Sequence, residues 1–224
     1  SDASHELKTP LASIRLLTDS LLQADHMDGE TAREFLNDIG DEADRLTRIT
    51  EKLLTLTRLD TAPAAEDVPV DVGAVVERVE HMLSPLARAV EVSLELKLQP
   101  GCVVLATEDD LYQIAFNLME NAVKYNLPGG RVLVTLTADG GRVVLRVEDT
   151  GVGIPEADLP KIFDRFYRVD KARSRAAGGT GLGLSIVRDT VLQHGGAVTA
   201  RRREPEGTCF EVSFAQWNGE EVGR

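Results

Sequence analysis

The chain has 224 residues, 42% of them hydrophobic and 4% aromatic, enough for one large domain or two modest ones with a true core. Its 37 acidic residues outnumber 25 basic ones, for a formal charge of −12. That balance argues against the broad positive face that duplex nucleic acid demands and disfavours contact with an anionic membrane surface. Two cysteines, Cys102 and Cys209, are too few for a disulfide framework or a four-thiolate zinc site, and they read as small core residues of a reducing compartment. No run approaches the ~18 apolar residues of a membrane span. The first residue is Ser1 rather than Met, which points to a piece of a longer chain.

Taken in order, the first pattern is helical: Leu7, Leu11, Ile14, Leu17, Thr18, Leu21 and Leu22 recur at three- and four-residue steps. Turn formers interrupt it between Asp25 and Glu30. A second helix spaces Phe35, Ile39, Leu46, Ile49, Leu53 and Leu56 as a heptad seam, with Glu42 in one core slot. A lone helical hairpin cannot cover both stripes, so pairing with a second copy through residues 1–60 into a four-helix bundle is expected. The small, proline-bearing stretch Thr61–Asp67 reads as a linker. The expected units are therefore a hairpin over 1–62, a linker at 63–67, a mixed domain over 68–217 and a tail at 218–224.

Beyond the linker the period changes repeatedly. Val72–Arg88 reads as helix, Val90–Leu98 as a half-buried strand and Asp109–Tyr125 as helix. Arg131–Ala138 and Arg142–Glu148 alternate around Asp139-Gly140-Gly141, a hairpin signal. A helix over Leu182–His194 precedes strand-like runs at Ala197–Arg202 and Cys209–Phe214. Helices mixed with neighbouring antiparallel strands predict an α+β class, with a two-layer α/β sandwich after the hairpin.

Four constellations carry chemistry. His5 lies nearly opposite the apolar stripe of the first helix, with Glu6 beside it and Thr9 one turn on. Pro10 removes an amide donor within that helix and clashes with the carbonyl of Glu6, a cost that points to function. Thr9 stands where a zinc protease would carry its second histidine, so that chemistry is excluded. Asn117, Asn121 and Lys124 share one face of the Asp109–Tyr125 helix, a donor set suited to a hydrated magnesium ion and phosphates. Asp149-Thr-Gly-Val-Gly153 follows a strand and suits a flat ligand with an amino group. Gly178–Leu184 fits neither the P-loop nor the dinucleotide fingerprint, yet it runs into a helix whose first amides can hold phosphate. Between these last two, residues 161–175 hold six basic and two acidic side chains, a local excess of positive charge that reads as a lid over a polyanion.

In this order and spacing, these elements resemble the cytoplasmic core of a bacterial sensor histidine kinase of two-component signalling. Ser4–Leu11 is similar to the phospho-acceptor H box, Asn117–Tyr125 to the N box and Asp149–Gly153 to the G1 box. Phe163–Phe166 is similar to the F box and Gly179–Gly183 to the G2 box. Gly207–Phe210 is a partial match to a last, weaker motif, with Pro205 where glycine is frequent. The resemblance implies a dimerisation and phosphotransfer hairpin followed by an ATP-binding domain of the type shared with gyrase and Hsp90.

By that resemblance His5 is the phosphoryl acceptor, Glu6 the base and Thr9 a residue linked to dephosphorylating the partner regulator. Asn121 ligates Mg2+ with support from Asn117. Lys124 and Tyr125 contact phosphate and the nucleotide edge, and Asp149 the adenine amino group. Gly151 belongs to the same turn, where Gly153 lets the base approach. Phe163 and Phe166 anchor the lid, and Arg168 reaches toward the triphosphate. Gly179, Thr180, Gly181, Leu182 and Gly183 shape the phosphate loop, and Thr208 adds a nucleotide contact. The implied partners are a second copy and the receiver domain of a response regulator, and the implied full-length protein is a membrane-bound bacterial sensor with this fragment in the cytoplasm. Two rival readings are an ATP-binding scaffold without phosphotransfer and a serine/threonine kinase on the same nucleotide fold.

Overall fold

The computed structural model describes residues 2–24, 26–61, 66–170 and 179–219. Helix α1 (Asp2–Gln23) carries Pro10 inside it, and α2 (Gly29–Thr61) returns beside it. Asp28 starts α2 by accepting the amide of Thr31 at 2.8 Å and its hydroxyl at 2.7 Å, and these bonds hold its carboxyl below the usual range. Most of the expected linker and Asp25 lie outside the described residues.

The second unit begins with β1 (Val68–Asp71) and α3 (Val72–Ala89). Asp71 caps α3 through the amides of Gly73 at 2.9 Å and Ala74 at 3.4 Å. Next come β2 (Ser93–Leu98), β3 (Val103–Ala106) and α4 (Glu108–Lys124). Thr107 caps α4 through the amide of Asp110 at 3.1 Å, and three acidic residues in its first turn suit the positive end of the helix. β4 (Arg131–Asp139) and β5 (Arg142–Asp149) form the expected hairpin, closed by Gly140 and Gly141 with φ of +57° and +76°. A single 3-10 turn at Leu159–Lys161, then α5 (Gly183–Gln193), β6 (Ala197–Arg202) and β7 (Thr208–Ala215), complete the described elements.

The five-stranded sheet runs β2-β4-β5-β7-β6, and β1 pairs with β3 in a separate antiparallel ribbon. One face of the large sheet packs against α3, α4 and α5. Val132, Val134, Val147 and Val212 point inward from the strands to meet Val76, Val79, Ile114, Leu118 and Val187. The opposite face is more polar, and Arg146 pairs across strands with Glu211 at 2.6 Å. Both cysteines are buried free thiols whose pKa burial pushes up.

The structure departs from the sequence expectations in three places. Val90–Leu98 is not one strand: α3 ends at Val90, and Glu91 adopts φ of +57° to turn the chain into β2. β1 and β3 escape periodicity because each is only four residues long. β2 pairs with β4 in parallel rather than antiparallel register, Ser93 opposite Arg131, because β3 and α4 intervene and return the chain to the same edge.

Candidate functional site

A cavity of about 370 Å³ opens between α4, the turn after β5 and the glycine-rich segment leading into α5, a size usual for a small-molecule site. Asn121, Lys124, Tyr125, Asp149, Gly153, Arg168, Gly179, Thr180, Gly181, Gly183 and Thr208 line it, as the motifs predicted. Five expected residues sit behind the wall instead. Asn117 is 4% exposed, Leu182 is fully buried, Phe163 lies edge-on against Phe210, Gly151 abuts the carbonyl of Tyr125, and Phe166 packs toward α2. They form the layer behind the cavity lining.

Asp149 closes one end. Its Oδ1 accepts the amides of Gly151 at 2.9 Å and Thr208 at 3.2 Å. Burial still pushes its carboxyl up to about 6, because two amide donors offset only part of the desolvation. Gly207 is what lets β7 come so close. It has φ of +113°, and a Cβ there would lie 1.9 Å from the carbonyl oxygen of Asp149. An ionised, buried acceptor left with capacity beyond two amide bonds suits a ligand amino group.

The other end is built for anions. No side chain caps α5, whose first amides follow Gly179, Thr180 and Gly181 on the cavity wall. Gly181, with φ of +72°, leaves no room for a side chain, since a Cβ would stand 2.8 Å from the Phe166 backbone, and the Phe166 amide donates to its carbonyl at 2.8 Å. The F-box and G2-box residues are thus locked to each other. Asn117 donates its amide to the carbonyl of Gln113 at 2.9 Å, which turns its oxygen toward Gly183, 3.0 Å from where a Cβ would be. Asn121 and Glu120 stand on the same wall. These oxygen donors fit a hard divalent cation that takes its remaining ligands from phosphate and water. Among the described residues no cluster of three or more His, Cys, Asp or Glu side chains forms a metal cage. The basic residues Lys171, Arg173 and Arg175 of the expected lid lie outside the described residues.

Arg168 departs from its expected role. It lines the cavity, but its guanidinium is ion-paired with Glu6 of α1 and is almost wholly buried. Arg45 of α2 approaches the same carboxylate at 3.6 Å and Glu42 at 3.4 Å. His5 is exposed beside this cluster, and the Thr9 hydroxyl donates to its carbonyl at 3.1 Å. The hairpin and the α/β domain meet further along α2. There Leu56 packs with Leu182 and Ile186, and Arg165 bridges Asp60 at 3.1 Å and Asp189 at 3.0 Å.

Sequence reasoning missed several wall residues. Val152, Ile154, Pro155, Ile162 and Phe210 supply an apolar lining; the available signal was that the first three lie in or beside the G1 box, Ile162 adjoins the F box and Phe210 ends the partial last motif. Lys52 joins the wall from the hairpin and Arg45 meets Glu6 outside it, and nothing local in the sequence marks either.

Fold and cavity define an α/β sandwich with a small-molecule cleft beside an uncapped helix N-terminus, joined to a helical hairpin that carries an exposed histidine. Residues 106–217 match the family of histidine kinase-, DNA gyrase B- and HSP90-like ATPases, and residues 1–62 match the His Kinase A (phospho-acceptor) domain. The chain belongs to the histidine kinase family. It is 35% identical over 218 residues to the sensor-like histidine kinase SenX3 of Mycolicibacterium smegmatis, covering 97% of this chain and 56% of that protein. It is 40% identical over 216 residues to the probable sensor histidine kinase TcrY of Mycobacterium tuberculosis, covering 95% and 44%. The solved structure of full-length ShkA in complex with AMPPNP aligns with a TM-score of 0.70 at 31% identity, over 96% of this chain and 45% of that one. The chain thus spans about half the length of the curated relatives it matches.

Proposed function

We propose that this chain is the kinase core of a two-component sensor, moving the γ-phosphoryl group of ATP to His5 and then to an aspartate on a response-regulator receiver domain. The observation that carries the reading is Arg168, which lines the nucleotide cavity while gripping Glu6, the neighbour of His5. A single side chain thus links the nucleotide site to the phospho-acceptor turn. In the transfer, a ring nitrogen of neutral His5 attacks the γ-phosphorus, the bond to the bridging oxygen of ADP breaks, and Glu6 accepts the other ring proton. Glu6 must let go of Arg168 to serve as base. The released guanidinium then faces the phosphates, which reconciles the buried pair with the expected role of Arg168.

Asp149 would take the adenine amino group, and Gly179, Thr180, Gly181 and the start of α5 the phosphates. Asn121, with Asn117 behind it, would hold Mg2+, whose contribution is to neutralise phosphate charge. Relatives named as sensor histidine kinases, and ShkA in complex with AMPPNP, support the assignment. Homodimerisation through the hairpin is supported by large apolar side chains left in solvent along it, Leu16 at 68% and Leu22 at 80% exposure among them. Thr9 stands exposed one turn from His5, a position suited to a second activity, dephosphorylation of the regulator. Among the described residues no helix is long and apolar enough to cross a membrane; a membrane-bound sensor as the full-length protein is part of this proposal.

The test is incubation of the chain with γ-labelled ATP and Mg2+, followed by acid and alkali treatment. The expected label is acid-labile and alkali-stable, as a phosphoramidate is, and is absent from His5→Gln. Label that survives acid, or that persists on His5→Gln, overturns the reading.

A further inference from the structure

Among the described residues that line the nucleotide cavity, one belongs to the hairpin: Lys52 of α2. Its ammonium lies 3.9 Å from the position a Cβ on Gly183 would take, at the first residue of α5, and the Asn117 oxygen is 3.0 Å from that same point. This is the end of the cavity away from Asp149. Gly151, whose amide binds Asp149, abuts the carbonyl of Tyr125, whereas Gly183 abuts Asn117. Asn117 and Tyr125, the residue that caps α4, lie eight residue steps apart, a rise of about 12 Å. If Asp149 takes the base, the far phosphates fall at the Asn117 end.

The charges there are unbalanced. Glu120 is a carboxylate whose charge acts on Lys52, but Lys124 already binds it at 2.8 Å. Lys52 itself makes no hydrogen bond or ion pair among the described residues. Burial disfavours its charged form, Glu120 opposes that effect, and Lys124 and Arg48 add to it. A cation held in a half-buried wall with its one carboxylate already claimed carries a cost that a bound anion relieves.

We propose that Lys52 is a terminal-phosphate contact delivered by the hairpin, so that the cavity distinguishes a nucleoside triphosphate from a diphosphate. The triphosphate then bridges the two units, and its charge helps draw the hairpin that carries His5 onto the α/β domain. This inference rests on the reading of the cavity as an ATP site. It adds to that reading a residue outside every recognised motif, and a reason for the site to be sensitive to which nucleotide is bound.

The test is equilibrium binding of AMP-PNP and of ADP, each with Mg2+, to the intact chain and to Lys52→Gln and Lys52→Arg. Loss of one charge-assisted contact is expected to weaken AMP-PNP binding to Lys52→Gln about tenfold, leave ADP within about twofold, and recover in Lys52→Arg. Equal loss for both nucleotides, no loss for either, or failure of arginine to restore AMP-PNP binding overturns the proposal. A wild-type chain that binds neither nucleotide would instead sink the reading of the cavity itself, and the two failures are distinct.

Discussion

The helical hairpin and the α/β domain solve the burial problem in opposite ways. Among the described residues of the hairpin only Pro10, Arg45, Ile49 and Leu56 are buried, and Leu11, Leu16, Leu22, Leu36 and Leu54 stand in solvent. In the α/β domain Val, Leu and Ile from three helices and a five-stranded sheet close one continuous core. An amphipathic helix that keeps its stripe exposed draws its stability from a partner, whereas a sheet covered by helices draws it from itself. The two polar centres follow the same division. Asp149 sits deep in the self-sufficient domain, where burial changes its acidity, and His5 sits exposed on the dependent one. A cavity fixed in one unit and an exposed histidine on the other are the arrangement that the proposed phosphoryl transfer to a second protein requires.

The sharpest test of this division is Asp149→Asn. It removes the buried carboxylate and is expected to weaken ATP binding on the order of a hundredfold, read by titration calorimetry. It should also raise stability at pH 7. A carboxyl pushed up to about 6 binds protons more tightly folded than unfolded, so the wild type loses stability as pH rises from about 4 to 6. Relief of that cost is on the order of 1–2 kcal/mol in denaturant unfolding at pH 7. A destabilised variant would contradict the buried-charge account.

Next in size are the apolar cores. Leu118→Ala, at a fully buried site on α4, is expected to cost the α/β domain about 2–5 kcal/mol at any protein concentration. Leu54→Ala, at a residue 70% exposed on α2, should leave that transition in place and instead weaken self-association, measured by sedimentation over a dilution series. If Leu54→Ala lowered the α/β transition as much as Leu118→Ala does, the contrast between the two regions would fail.

The contact between the two units is predicted to be weaker. A double-mutant cycle on Glu6→Gln and Arg168→Met should report a coupling of about 1–3 kcal/mol, since both groups lie in a shielded pair. Additive losses would mean that the two side chains do not meet in solution.

The smallest effect is expected at His194, whose Nε2 lies 2.9 Å from Asp110 and whose Nδ1 lies 3.1 Å from Asp67. Arg58 of α2 approaches the same Asp110 at 3.8 Å, so this cluster touches β1, α4, α5 and the hairpin. The hydrogen bond to Asp110 raises the histidine pKa above its ordinary value, and burial opposes it. Stability from the imidazolium is therefore complete below about 6.5 and declines as pH rises through the raised value. His194→Asn should lower the melting temperature by a few degrees at pH 6 and by less at pH 9. A loss that grows with pH would reverse the sign and refute the ion-pair account.

Much of this was legible before the structure. The H, N, G1, F and G2 boxes are short stretches whose residues act within one or two turns of each other. Asn117 and Asn121 fall on one face of α4, and Gly140-Gly141 closes its hairpin, because the chain's own geometry fixes such relations. Even the charge of −12, which disfavours a DNA-binding face, left room for a cationic end to the cavity, because net charge says nothing of where the cations gather.

What the sequence determined by itself, then, is the local pattern: the histidine opposite the apolar stripe of α1, the polar face of α4, the glycine loop before α5, and the two helical stripes. Tertiary structure alone decided which distant residues share a site. Lys52 reaches Gly183 across 130 intervening positions, Arg168 turns from the cavity to Glu6, and β2 joins β4 in parallel. Those pairings arise from how helices and strands bury their apolar faces against one another, an outcome of packing over the whole chain that no local period encodes.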